Sequence, residues 1–248
     1  MVSGHCRVST SLAASRADIF DEVSDALVIS GQIVAVPSLD QAQYVLMSTT
    51  DQNCVALVAL TSPGVSCSQT PTWDETRSLF ELELDNVRVP LNRVLARGPS
   101  AAKLCRRLMI QRDFALACDC VGAAAELLDK TVAYLQTRQQ FGRPLALFQA
   151  LKHRCADLKA EVEAADALLR ASLAISFDAS GNLVDGDVAD NAACETKKLS
   201  SDAFVAVAEE ALQLHGGIGM TAEHECHLFL KRALLNEHLG GHADRYTT

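Results

Sequence analysis

Residues 138–149 gather the chain's clearest ligand-binding chemistry: Arg138, Gln140, Phe141, Gly142, Arg143 and Gln149 within one short corner. The two arginines offer planar guanidinium forks and the glutamines offer amides. Gly142 with Pro144 supplies the break that a helix-to-helix corner needs. Pro144 also suits the first turn of a new helix, where a missing N–H costs nothing. Arginine forks beside a helix N-terminus suit an anion or the phosphates of a nucleotide. A solvated loop would carry the same residues with no ligand, and the spacing by itself leaves both readings open.

Other groups are read more plainly. His224-Glu225-Cys226-His227, with His238 and His242 downstream, lacks the spacing of a zinc-binding HExxH helix, so no metal is expected there. Cys118 and Cys120 fall on one helix, where residues two apart point in different directions, and they read as small core thiols. Trp73 reads as a packing residue of a β-domain, with Asp74 and Arg77 as a structural pair near it.

The elements that must position the corner follow from pattern. Residues 1–24 show no clear period. From 26 to 95, short β-branched runs (ALVIS, QIVAVP, QYVLMST, CVALVALT) alternate with turn formers at Gly31, at 37–40 and at 51–53. SLFELELDNVRVP alternates apolar and polar residues, with a bend expected at Asp85-Asn86. The texture predicts an antiparallel sheet or partial barrel of roughly five or six strands. It changes at Gly98-Pro99-Ser100, which places a boundary between residues 1–97 and 98–248. Ser100 is expected to cap a helix running to about Gln136. The stretch Phe114–Val132 is apolar almost all round and is expected to be buried on every side. A second helix is expected from about Leu145 to Ser176, with Leu151, Cys155, Leu158, Val162, Ala165, Leu169 and Leu173 as its inner stripe. A third runs from about Val188 to His215 and a fourth from about Ala222 to Leu239. The fold class is α+β, mostly α: a partial antiparallel β-domain followed by an antiparallel four-helix bundle.

Composition excludes whole classes. With 31 acidic against 22 basic residues the net charge is −9, and no basic stripe is present to meet a nucleic acid. An anionic ligand must therefore be met by a local arginine cluster. No apolar run has the length of a membrane span, and the first residues do not read as a signal peptide, so none is expected. Nine scattered cysteines, an odd number, read as reduced thiols of a cytoplasmic protein.

Two segments taken together are specific. YLQTRQQFGRPLALFQALKHRCADL (134–158) resembles the flavin-contacting corner of acyl-CoA dehydrogenases. ALQLHGGIGMTAEHECHLFLKRA (211–233) resembles that family's Gln-x-x-Gly-Gly-x-Gly motif and the helix after it. PTWDETRSLFELELDNVRVP (71–90) resembles the end of its middle β-domain. The resemblance spans roughly residues 26–245 in matching order. It implies part of the middle β-domain over 1–97, then the C-terminal four-helix bundle over 98–248. The N-terminal helical domain would be missing, as in a fragment or a naturally short subunit. The cofactor implied is FAD. Arg138 would bind its pyrophosphate, with Gln140, Phe141 and Gln149 along the same nucleotide. Gln213, Gly216 and Gly217 would let backbone approach the FAD of a neighbouring subunit. An acyl-CoA substrate, a homo- or hetero-oligomer with another acyl-CoA dehydrogenase subunit, and electron-transfer flavoprotein as electron acceptor are implied likewise.

The family takes an α-proton from the thioester with a glutamate. In most members it follows the fourth helix, a place that falls here on Gly240. In others it lies on the first helix of the bundle, at or beside Arg112. Neither position carries glutamate. The substitutes in the chain are Glu237, Asp113, His238 and His242, each with an alternative reading as a structural or surface group. Two function classes follow: an FAD-dependent acyl-CoA dehydrogenase that shares its flavin site, and a catalytically inert structural partner in a heteromer.

Overall fold

The computed structural model describes residues 6–11, 16–23, 25–184 and 186–240. They form two compact units, Met1–Met109 and Ile110–Thr248. The texture change at Gly98 and the division between units do not coincide, because one long helix runs through the latter.

The described residues of the first unit form eight strands: β1 (Val8–Thr10), β2 (Arg16–Val23), β3 (Ala26–Pro37), β4 (Tyr44–Ser48), β5 (Cys54–Ala59), β6 (Val65–Thr70), β7 (Leu79–Pro90) and β8 (Val94–Arg97). They make two four-stranded sheets, ordered β1-β4-β5-β8 and β2-β3-β7-β6. Every pairing is antiparallel except β1 with β4, which is parallel. The strands carry apolar residues to one core, including Leu27, Ile29, Ile33, Val45, Val58, Leu82 and Val87. Two strands, β1 and β2, lie in the region without a readable period; β1 has only three residues, with Val8 and Thr10 exposed. The runs ALVIS and QIVAVP prove to be one strand. Gly31, at φ 134°, sits where the pairing with β7 shifts register. The bend expected at Asp85-Asn86 is the other side of that bulge. Asn86 has φ 49°, and its N–H donates to the Ser30 hydroxyl at 2.8 Å. Trp73 is 85% exposed, so it is no packing residue. It sits in the turn segment after β6, outside any strand.

Gly64 is fixed by geometry. Its φ is +85°, and a Cβ there would lie 2.1 Å from the Asp85 carbonyl oxygen. A Gly64→Ala variant should lose about 2–3 kcal/mol of stability in urea unfolding followed by circular dichroism, since strain and a backbone clash add.

α1 (Pro99–Thr137) begins at Pro99, which takes the first helical position. Ser100 does not cap it; its hydroxyl donates back to the Arg97 carbonyl at 2.7 Å. The corner then forms β9 (Gln139–Gln140) and β10 (Arg143–Pro144), followed by α2 (Gln149–Ser176), α3 (Asp187–His215) and α4 (Cys226–His238). Cys120, Ala124 and Leu127 of α1 pack with Leu158 and Val162 of α2, Phe204, Val207 and Ala211 of α3, and Ala233 of α4. A second cluster joins Ile110, Phe114 and Val121 to Ala165, Leu169 and Ala193. Within the stripe expected on α2, Leu158, Val162, Ala165 and Leu169 are buried while Leu151, Cys155 and Leu173 are half-buried. α1 is not buried all round: Ala115, Cys118 and Gly122 form an exposed line, so Cys118 is not a core thiol, whereas Cys120 is. Small apolar residues left that line indistinguishable from a core face by hydropathy.

Among the described residues no helix is long and apolar enough to cross a membrane.

Candidate functional site

The corner is a tight β-hairpin. Arg143 pairs with Gln140 and Pro144 with Gln139. Phe141 and Gly142 turn it with φ values of 54° and 76°. Two consecutive positive φ angles define a type I′ turn, which glycine accepts and phenylalanine normally avoids. Pro144 therefore belongs to a strand and not to a helix start. Residues Leu145–Leu147 form a 3₁₀ turn, and α2 begins only at Gln149. The Leu145 N–H donates to the Arg138 carbonyl at 2.9 Å, which closes the hairpin.

The side chains of this hairpin face outward. Arg138, Gln140 and Gln149 are exposed, and Phe141 is 88% exposed. The Arg143 guanidinium stacks over the Phe148 ring at 4.0 Å, which leaves Arg138 as the arginine without a ring or acidic partner among the described residues. Phe148 precedes α2 without a side-chain cap; the Leu151 and Lys152 N–H groups donate to its carbonyl, and the amides ahead of them, at Gln149 and Ala150, are those that could meet an anion.

The second motif lies at the same end of the bundle. Tyr134, one turn before Arg138, donates its hydroxyl to the His215 carbonyl at 3.3 Å. Gln213 is exposed, and its carbonyl accepts the N–H of Gly216, which ends α3 with φ 63°. The three glycines have different reasons. A Cβ at Gly219 would meet the Leu212 carbonyl oxygen at 2.9 Å, so that glycine is a packing requirement. Gly217 has no left-handed φ and nothing within 4 Å of its would-be Cβ. Among the described residues nothing requires glycine at 217, whereas close approach by another group would.

At Gly240 the geometry differs. The two places where the resemblance puts a catalytic glutamate are neighbours in space. Arg112 donates through Nη2 to the Gly240 carbonyl at 3.1 Å and through Nε to Asp113 Oδ1 at 2.9 Å. A Cβ at Gly240 would lie 2.9 Å from Arg112 Nε and 3.0 Å from Asp113 Oδ1. The Arg112–Asp113 ion pair therefore fills the space where a side chain at 240 would start. Asp113 is 4% exposed, and burial pushes its carboxyl above the usual range, opposed by the Arg112 guanidinium. Beneath it Lys197 is fully buried and donates through Nζ to the Glu237 carbonyl at 2.7 Å. Burial holds the Lys197 ammonium below its ordinary pKa, opposed by the charge of Asp113. Asp119 accepts from Arg232 Nε at 3.0 Å and from the buried Asn236 at 2.6 Å, which ties α4 to α1.

The remaining candidates are dispersed. The Glu237 carboxylate lies 4.0 Å from His238 Nδ1. That nitrogen also stands 2.9 Å from the Leu234 carbonyl. His242 lies outside the described residues. Pattern reading missed Tyr134, His215 and Lys197. His215 stood inside the glycine motif, and Lys197 had no signal beyond its place on the inner side of α3.

His224 and Glu225 precede α4 and are not part of it, because Cys226 is the first helical residue. His215, His224 and Cys226 place one ligand atom each within 4.8 Å of one another. Burial lowers the pKa of His215 and pushes the Cys226 thiol up to about 11.

A two-sheet β unit followed by a bundle with this glycine turn is the architecture of solved acyl-CoA dehydrogenases. Butyryl-CoA dehydrogenase from Megasphaera elsdenii aligns with a TM-score of 0.81 over 96% of this chain and 60% of that chain, at 20% identity, which speaks to the fold alone. A steroid acyl-CoA dehydrogenase, the Tcur3481-Tcur3483 G363A variant, aligns at 0.79 with 27% identity over 98% of this chain and 65% of that one. The chain belongs to the acyl-CoA dehydrogenase family: residues 104–246 match its C-terminal domain. The acyl-CoA dehydrogenase IpdE2 of Mycolicibacterium smegmatis is 43% identical over 118 residues, which is 48% of this chain and 34% of that protein. IpdE2 of Mycobacterium tuberculosis is 36% identical over 168 residues, covering 68% of this chain and 45% of that protein. The chain thus spans less than half the length of these curated relatives.

Proposed function

We propose that this chain is a subunit of an FAD-dependent acyl-CoA dehydrogenase that contributes the nucleotide-side groups of a shared flavin site and no catalytic base. The observation that carries this reading is the contrast between the C-terminal end of α1 and a place well inside it. Just past the end, Arg138 is exposed without an acidic partner among the described residues, α2 has no side-chain cap and Gly217 is open. Within the helix, Arg112 and Asp113 close the space at Gly240. The residues fit the pyrophosphate and adjoining parts of FAD: Arg138 as a charge-assisted donor, Gln140, Phe141 and Gln149 beside it, and Gln213, Gly216 and Gly217 as a close backbone approach. When bound, FAD supplies the hydride acceptor for α,β-dehydrogenation of an acyl-CoA thioester.

These two places cannot serve one flavin within one chain. Arg112 and Arg138 are separated by about 39 Å of helix at ~1.5 Å per residue, far beyond the reach of one dinucleotide. A complete site then needs a second chain. Two structural neighbours are two-chain assemblies by name, Tcur3481-Tcur3483 and the ChsE4-ChsE5 complex from Mycobacterium tuberculosis. The partner proposed here is an acyl-CoA dehydrogenase chain that carries the glutamate, with electron-transfer flavoprotein as acceptor and the cytoplasm as location.

The test is purification of the chain alone and together with such a dehydrogenase chain. Bound yellow flavin and acyl-CoA oxidation are expected only in the mixture, and full turnover by the lone chain overturns the reading. In the mixture, Arg138→Ala should weaken FAD retention about 10- to 100-fold, the worth of one charge-assisted hydrogen bond. Flavin fluorescence released on dilution measures it. A chain that is only a structural partner would show no loss.

A further inference from the structure

We infer that His224 is an acid-released cap: while neutral it holds the start of α4 closed beside the glycine turn, and on taking a second ring proton it releases it. Glu225, the residue before α4, gives that helix no side-chain cap. The place is filled from one residue earlier. His224 Nδ1 stands 3.3 Å from the Cys226 nitrogen and accepts its N–H, one of the amides that a helix leaves without an internal partner. An imidazole accepts only through a bare nitrogen, so the His224 ring is neutral, with its proton on Nε2. A second proton has only Nδ1 to go to. It turns the acceptor into a donor facing a donor, and it sets a cation at the positive end of the α4 dipole.

The groups around His224 do not welcome that charge. Its ring centroid lies 4.5 Å from that of His215 on α3 and 6.5 Å from that of Tyr134 on α1. His215 is buried, donates from Nδ1 to the Ala211 carbonyl at 2.8 Å and stacks on Tyr134 at 4.4 Å between centroids. The Nδ1 atoms of both histidines are thus engaged in hydrogen bonds. Burial holds His215 below the ordinary imidazole pKa, and charge on His224 pushes it the same way. His224 is the half-buried ring of the two and the one that protons reach from solvent. Glu225 is the neighbouring carboxylate. Lys130 of α1 engages it at 2.6 Å and stands 3.5 Å from Glu126. A cation at 224 therefore competes with Lys130 for the same carboxylate. Glu223 is exposed on the turn and His227 is half-buried in the first turn of α4.

The consequence is local. The 3₁₀ turn Gly216–Met220 lies between His215 and His224, so release of the cap frees one end of the glycine turn while the buried His215 still holds the other. The bundle core stays closed, because Cys226 and Ala233 of α4 remain packed with α1, α2 and α3. The inference does not depend on the flavin-site reading, because it is read on the chain without flavin.

The test is amide hydrogen exchange of the full chain, read by mass spectrometry on peptides across 216–230 and corrected for the intrinsic pH dependence of exchange. It is run at about pH 7.5 and about pH 5, which bracket the range in which imidazoles titrate. Protection at the start of α4 should fall about 5- to 30-fold at the lower pH, the usual effect of losing a helix cap. His224→Asn keeps an acceptor that cannot be protonated, because an asparagine oxygen reaches the N–H two residues on. Its protection should be the same at both pH values. An unchanged parent, or a loss that persists in His224→Asn, overturns the cap. Circular dichroism checks the fold of the variant. Should it not fold, the imidazole C–H resonances of the parent decide, and a loss of protection at a pH where His224 does not titrate overturns the cap.

Discussion

The double variant Arg112→Ala/Gly240→Glu is expected to remove α-protons from an acyl-CoA thioester about 10²- to 10⁴-fold faster than the parent, the usual worth of a positioned base. Deuterium uptake from heavy water, read by mass spectrometry in the assembly with a partner chain, measures it. The single variant Gly240→Glu should gain little. Its Cβ would crowd Arg112 Nε at 2.9 Å, and the new carboxylate would pair with that guanidinium. An arginine at such range lowers a carboxylate's pKa and removes its appetite for a proton. Removing the guanidinium frees the basicity and most of the space; the Asp113 carboxylate, 3.0 Å from the would-be Cβ, must still shift, and the φ of +82° at 240 costs some stability. If the double variant exchanges no faster than the parent, the place at 240 does not face a substrate.

Asp113→Ala should cost about 3–5 kcal/mol of stability, because it leaves Arg112 and the fully buried Lys197 without their shared counter-charge. Asp113→Asn should cost less, since the amide still accepts a hydrogen bond. The pair also sets a pH signature. Asp113 has a raised pKa in the folded state, so its contribution is greatest below the unfolded value of 3.8 and is lost as pH rises through the folded one. Lys197 has a lowered pKa, so the unfolded chain binds more protons and stability rises with pH between the folded value and 10.5. Thiols raised by burial act against it: Cys194 and Cys226, pushed up to about 11, lose their contribution as pH rises from the unfolded value of 9.0. The difference in unfolding free energy between the parent and Lys197→Met isolates the lysine, and the parent should gain on the variant as pH rises toward 10.5; a difference that stays flat with pH would mean the ammonium is solvated.

Much of the molecule was legible because its signals are local. Leu158, Val162, Ala165 and Leu169 recur at the helical period, and their stripe is the buried face of α2. Gly216, Gly217 and Gly219 marked the break after α3. Arg138 and its glutamines marked the corner. Other elements were misread for physical reasons. β1 shows no period because three residues, two of them exposed, are too few to carry one. The corner is a hairpin because Phe141 and Gly142 both accept positive φ, and that preference is not visible in a phenylalanine. Cys118 and Trp73 are exposed although their types suggest a core, since hydropathy ranks a side chain and says nothing of what stands opposite it.

The sequence by itself determined the class of fold, the order of its parts, and the arginine corner and glycine turn, because each depends on residue identity or short-range spacing. Only the tertiary structure decided what meets what. Gly240 and Arg112 lie far apart in the chain yet touch, and the guanidinium lies where a side chain at 240 would start. His215, His224 and Cys226 likewise became a cluster only when the glycine turn folded α4 back on α3. Such contacts arise from the packing of helices whose sequences record what each face buries, but not which residue it meets.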